Sequence, residues 1–519
     1  MPRLVRRPIT FILLACVAIA AAVAGCGGGD DDGGSANVGP AAAAPPTAPI
    51  YVDATVQPTG SAESDAKAAL GKVMDSDDPG GKLVSLIEQS AKSDGHPIDF
   101  QQDVEPWLGE KVGFFFTNLS GDTQQGAAVV ETTDPEAALA FARKVSGATA
   151  TNPAPKTYNG VSYQTDPTDP TSTVFGIVGD FLVQGDETGF KAAVDAEKGD
   201  SLGDDGDFKD AIGDLPDDRL GTFYTVPKTL IDAIGPGEID PGSRALLEKT
   251  AGDSLEQPVS GALSATSDSF DLDLVGGNSG SETPESALIG DVPADSWLAI
   301  GAGDLGAVAK RTLDQVKDQI PNYDAAVQQI ESTTGSSLEE LTNALGDAVI
   351  YVEGTTEPTL TGALVIQTKD PDLTGRLVSQ LQGLLQLGVS GIKPLQLSGG
   401  GTGFQIDDRS LAPAPVEIAQ QDDELVIGYG ANSAERTLAP VQTLGDSPLF
   451  SSAKGQVSDL GTDLFLDMPK IFQLAEATGA KSDPGYVQAR PYIDALTYLI
   501  TGSGSEGDNT EVKAVLGLK

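Results

Sequence analysis

The sequence predicts an α+β protein of two homologous tandem domains, each a largely antiparallel sheet packed with a few helices. Three observations carry this expectation. A set of short motifs recurs once, in the same order, about 240 residues downstream. The β-rich blocks follow one another as hairpins instead of alternating with helices. Asp-Pro helix starts stand at matching places in the two halves.

In chain order, Trp107–Phe116 aligns with Ala344–Glu353 at an offset of 237. Gly126-Ala127-Ala128-Val129-Val130 ahead of Asp134-Pro135 matches Gly362-Ala363-Leu364-Val365-Ile366 ahead of Asp370-Pro371. Asp180–Gly185 resembles Glu424–Tyr429, and Phe223–Lys228 resembles Phe465–Lys470. The period is too long for a solenoid, so the pattern is a duplicated domain. The expected copies span 46–275 and 287–519, with a linker at 276–286 around Gly276–Ser281. Val112–Thr117 and Ala127–Thr132 read as paired strands turning at Gly121-Asp122. Asp134 and Asp370 read as N-caps, each followed by proline at the first helical position. Phe175–Val178 and Phe181–Gln184 form a second hairpin through Gly179-Asp180.

Pro106-Trp107-Leu108-Gly109-Glu110-Lys111-Val112, the opening Pro293–Leu298 of the second half, and the order of hairpins resemble an uncharacterised family of exported bacterial proteins known as domain of unknown function 3352. The resemblance implies two tandem copies of that domain, the α+β fold and export. It implies no activity and transfers no catalytic residue. The second copy departs from the pattern at Asn343-Ala344, where the first has Pro106-Trp107.

The N-terminus reads as an address. Arg3, Arg6 and Arg7 precede an apolar run from Ile9 to Ala24, closed by Val23-Ala24-Gly25-Cys26. Residues 1–25 therefore read as a lipoprotein signal peptide. Cys26 is the expected site of cleavage and of diacylglyceryl attachment, because a thiolate is the nucleophile that takes the lipid. Cys16 leaves with the signal peptide, so the mature chain has no disulfide. Residues 26–45 then read as the lipidated Cys and a flexible tether; the Ala- and Pro-rich sequence continues to Pro49 with nothing suited to a core. The expected location is the outer face of a bacterial cell membrane, held by the lipid.

Composition excludes several functions. The 32 Lys and Arg against 76 Asp and Glu give a net charge of −44, opposite in sign to a nucleic-acid footprint. One His and two Cys are too few for a zinc, haem or iron–sulfur centre, so no metal and no cofactor are expected. His96 lies between Gly95 and Pro97 and reads as a loop residue. Two S-x-x-K tetrads, Ser64–Lys67 and Ser451–Lys454, lack the companion motifs of penicillin-recognising enzymes. Asp75–Gly80 begins like a calcium loop, but Leu86 stands where its closing Glu belongs. Asp204-Asp205-Gly206-Asp207 is similarly incomplete. Leu373, Leu377, Leu381, Leu384 and Leu385 form a helical stripe expected to pack on its own sheet.

The expectation is a non-enzymatic, lipid-anchored envelope protein that binds or scaffolds, with no catalytic residue and a ligand cleft at the junction of the copies. Its partners are the membrane, through the anchor, and an unidentified envelope ligand or protein. An apolar ligand predicts a dry cavity lined by Leu, Val and Phe from both copies; a protein partner predicts instead an exposed apolar patch free of acids. The alternatives are a wall-modifying enzyme using carboxylates or a Ser–Lys pair, and a structural envelope spacer.

Overall fold

The computed structural model describes residues 39–93, 95–120, 124–166, 173–235, 238–277, 285–317, 320–506 and 509–519. The signal peptide, Cys26, most of the tether, the Gly121-Asp122 turn and residues 278–284 of the linker lie outside the described residues. The chain divides into two compact units, residues 1–279 and 280–519.

The first unit contains β1 (Tyr51–Thr55), β2 (Leu108–Asn118), β3 (Gln125–Thr132), β4 (Lys156–Tyr158) and β5 (Val161–Thr165). It continues with β6 (Val174–Val178), β7 (Phe181–Gly185), β8 (Gly221–Thr225), β9 (Val259–Thr266) and β10 (Ser269–Gly277). Antiparallel pairing sets the order 10-9-8-1-2-3-7-6-5-4. The second unit contains β11 (Ser296–Ala302), β12 (Leu345–Glu353), β13 (Thr361–Thr368), β14 (Ile392–Pro394) and β15 (Thr402–Ile406). Then come β16 (Val416–Gln421), β17 (Glu424–Tyr429), β18 (Gly461–Asp467), β19 (Leu496–Glu506) and β20 (Asn509–Leu518). Their order, 20-19-18-11-12-13-17-16-15-14, is the same arrangement strand for strand.

Register refines the sequence alignment. Phe115 faces Tyr51 and Ala127, as Tyr351 faces Ala299 and Ala363, so the strand bodies match at an offset of 236, not 237. The bulge in β2 spans Leu108 to Val112, whereas the corresponding irregularity in β12 spans Leu345 to Ala348. One extra bulge residue accounts for the difference.

The helix starts are explained by their caps. Asp134 accepts from the N–H groups of Glu136 and Ala137, and Asp370 from that of Leu373; both precede a proline at the first turn. Asp186, Asp240 and Asp483 cap three further helices in the same way. Aspartates of the two candidate calcium loops have this role as well. Asp78 accepts from Gly81 N–H, and Asp205 from Phe208 N–H.

The tether boundary needs correction. Gly39–Ala43 forms a 3-10 turn, and Ala41, Ala43, Ala44 and Ala48 are buried beside Tyr51, Phe115 and Phe190. Pro40 sits where a Cβ on Gly113 would lie, so this strand position must be glycine. Small residues without charge read as linker, yet here they fill a core too tight for larger ones. The linker also narrows: Gly276 belongs to β10, opposite Val259, and Ser286 caps the turn Ala287–Gly290.

Candidate functional site

Each sheet has one face closed by a packed core. In the first unit Tyr51, Phe208 and Tyr224 pack edge to face, with ring centroids 5.7 and 5.0 Å apart. In the second, Ala299, Tyr351, Val365, Phe465 and Ile500 form the equivalent core, with Phe450 edge-on to Phe465. Burial pushes the Tyr224 and Tyr351 hydroxyls up to about 12, so both stay neutral.

The opposite faces differ. In the first unit, Val112, Val130, Leu182 and Phe175 on that face are sealed by Ile87, Ala91, Ala138 and Ala142 from the helices Pro79–Ser93 and Pro135–Ser146. Beyond this cover, Val52, Leu263 and Leu272 are 39, 44 and 39% exposed. In the second unit the centre of the face is open. Ile427, Leu364, Ile350, Ile300 and Leu464 stand opposite one another on five neighbouring strands. Ile300, Ile350 and Ile427 are 43, 46 and 39% exposed. The flanking rungs are Tyr429, Gly362, Val352, Leu298 and Leu466 on one side, and Leu425, Ile366, Ala348 and Ala302 on the other. No acid or base occurs in these three rungs.

That exclusion is the informative feature. Charged residues make up 21% of the chain, and strands exposed on one face ordinarily place them there. Side chains opposed across antiparallel strands lie close enough to form a continuous surface. The result is an apolar, charge-free floor that water reaches in the free protein.

The leucine stripe contributes beside it. The helix Pro371–Leu385 packs on β15 and β16 and buries Leu373 and Val378. Its C-terminal half behaves differently. Leu381 is exposed, and Leu384 and Leu387 are 54 and 86% exposed. The expected packing on the sheet therefore holds for the first two turns only. Two helices between β11 and β12, Leu305–Val316 and Tyr323–Thr334, bury one glycine and nothing, respectively.

A model described as "Protein of unknown function (DUF3352)" matches residues 9–518. The chain belongs to the DUF3352 family. The single match runs through both units, so the family is defined over the whole chain, where the sequence pattern had suggested one domain per copy. No curated protein matches. One solved structure, titled "Structure of crystal form I of TP0453", is similar at 10% identity over 79% of this chain and 100% of that one. Its TM-score of 0.14 carries no argument about fold or function.

In this DUF3352 protein the remaining motifs have structural partners. The Ser64 hydroxyl donates to the Ser61 carbonyl, and Ser451 to that of Gly445. Lys454 turns to Glu285, 3.4 Å away, instead of to Ser451. His96 is half-buried, with its backbone N–H on the Ala91 carbonyl. Trp107 is buried, donates to the Asp103 carbonyl and packs on Phe141 at 5.5 Å. Trp297 donates to the Gly354 carbonyl. Among the described residues no helix is long and apolar enough to cross a membrane, and no three His, Cys, Asp or Glu side chains gather as a metal site.

Sequence reasoning missed the open face, although a signal for it existed. Ala348–Val352, Ala363–Ile366 and Leu425–Ile427 are uninterrupted apolar runs, the pattern of strands apolar on both sides.

Proposed function

We propose that this protein is a lipid-anchored envelope protein, held through Cys26, whose open uncharged sheet face in the second unit binds the apolar part of an amphipathic lipid. The observation that supports this reading is the three-rung floor of the second unit, open at its centre and free of charge in a strongly acidic chain. Flexible alkyl chains suit such a floor, because they need contact area and no hydrogen bonds. The face has no catalytic group among its rungs, so in this reading the role is to hold or present the ligand. The two units descend from one duplicated domain in this reading, and their common strand order supports it.

Gly39 onward belongs to the first unit, which leaves Gly27–Val38 as the tether, with a reach of about 19 Å for a flexible chain of that length. The protein therefore works at the membrane surface. Native mass spectrometry of the chain purified gently from its own host tests the reading. A lipid-sized extra mass, lost on denaturation and absent after delipidation, is the expected result. A bare mass at every step would refute it.

A further inference from the structure

The second unit also holds a polar pocket of about 360 Å³, beyond the ends of β11, β12 and β13. None of its lining residues belongs to the uncharged rungs, so a ligand here is independent of the lipid reading. The volume lies at the small end of ligand sites.

At the base of the pocket is an ion pair. Glu353 is 1% exposed and accepts from Arg436 through both oxygens, with Nε at 2.8 Å and Nη2 at 2.6 Å. Such a pair costs desolvation and adds little net stability, so its presence calls for a reason. The first unit makes the same strand arrangement without it. By register, Glu353 opposite Thr361 corresponds to Asn118 opposite Gln125, a neutral side chain that accepts from the Ser120 N–H and hydroxyl. The fold therefore does not require the pair.

The lining excludes charged ligands. Arg436 is neutralised by Glu353. Lys470 is held by Asp467 at 3.5 Å and by Asp295 at 4.0 Å, and it donates to the Asp295 carbonyl. No lining cation among the described residues is left over for a phosphate or carboxylate. With both Glu353 oxygens taken and Asp295 beside Lys470, there is also no lone carboxyl for acid–base chemistry. What remains is a set of uncharged donors and acceptors, among them the Thr355 hydroxyl and the Gln473 amide. Neither side chain makes a hydrogen bond within the protein among the described residues. A ligand that matches this lining is small, uncharged and carries several hydroxyls.

We propose that this pocket binds a single neutral sugar unit. Its hydroxyls bridge Thr355, Gln473 and the outer edge of the Glu353–Arg436 pair. The test uses residues 27–519, the mature chain without its lipidated Cys26, with methyl glycosides of glucose, galactose and mannose as probes and sulfate and phosphate as anion controls. Saturation-transfer NMR reads contact, and Trp297 fluorescence reads affinity through its bond to Gly354 on the pocket wall. At least one glycoside is expected to bind, and Gln473→Ala and Thr355→Val are each expected to weaken it about tenfold, the worth of one good hydrogen bond. Arg436→Met should abolish binding. The two milder variants keep the test valid if Arg436→Met does not fold. Absence of transfer to all three glycosides, equal affinity in both milder variants, or tighter binding of sulfate or phosphate would each overturn the proposal.

Discussion

Replacing Ile300, Ile350 and Ile427 together with serine is the sharpest test of the open face. A fully buried isoleucine is worth about 1.5–3 kcal/mol relative to an exposed one. These three are 43, 46 and 39% exposed, so a little over half of that value is already realised in the free protein. The remainder, about 0.6–1.4 kcal/mol at each site, becomes available only when a ligand covers the face. Summed over three sites this is about 2–4 kcal/mol, or from about thirtyfold to several hundredfold in affinity. The assay titrates a fluorescent fatty-acid analogue into the mature chain and into the variant, with urea unfolding in parallel. The variant should bind weakly and lose about 1 kcal/mol or slightly more of stability per site. A cost near 4 kcal/mol per site, the scale of deleting a closed core residue, would mean the face is sealed and the reasoning wrong. Unchanged affinity would refute it equally.

Four further outcomes are expected. Cys26→Ser should abolish labelling by a radioactive fatty-acid precursor and leave the signal peptide attached; persistent labelling would exclude this cysteine as the anchor. Deleting residues 39–48 should destabilise the first unit by several kcal/mol, at about 0.8 kcal/mol per buried methyl or methylene group, because four buried alanines and Pro40 leave its core; an unchanged urea midpoint would restore the tether reading. Arg436→Met should cost about 2–3 kcal/mol, less than for a fully buried pair because half of the arginine side chain is solvated, while the double change Glu353→Met with Arg436→Met should recover most of it. Asp53 is raised above the ordinary carboxylate range by burial, against the pull of Lys111, the Tyr51 and Thr222 hydroxyls and Arg219. The native state then holds this proton more tightly than the unfolded chain, so the contribution of Asp53 to stability declines as pH rises from the unfolded value of about 3.9 through the raised native one. Asp53→Asn keeps an acceptor for the Tyr51 hydroxyl and should be more stable than the parent at pH 7 but not at pH 3.5; equal midpoints at both pH values would contradict this.

The α+β class, two of the hairpins and the paired helix starts were legible because repetition supplied a second sample of each signal; the order of the strands was not. Asp134-Pro135 alone is a helix start of ordinary strength, but its return as Asp370-Pro371 after a matching hairpin fixes the place of both in the sheet. Two things escaped, for opposite physical reasons. Gly39–Ala48 looks like a linker because alanine, glycine and proline bring little hydrophobic area; only the close approach to Gly113 and Tyr51 turns them into core. The open face was hidden by excess hydrophobicity instead. A run such as Ala348–Val352 says that neither side of the strand tolerates charge, but not what covers each side. In the first unit, helices that bury Ile87 and Ala138 cover part of that second side. In the second unit the two helices between β11 and β12 bury one glycine and nothing, and the leucine stripe, buried at Leu373 and Val378, ends in Leu384 and Leu387 in water. A merely structural face left this open would be relieved by any charge at Ile300 or Ile350, since nearly half of each side chain already meets solvent. The uniform absence of charge across three rungs is what the proposed lipid-binding role requires, and no described residue of the chain closes the centre of the face.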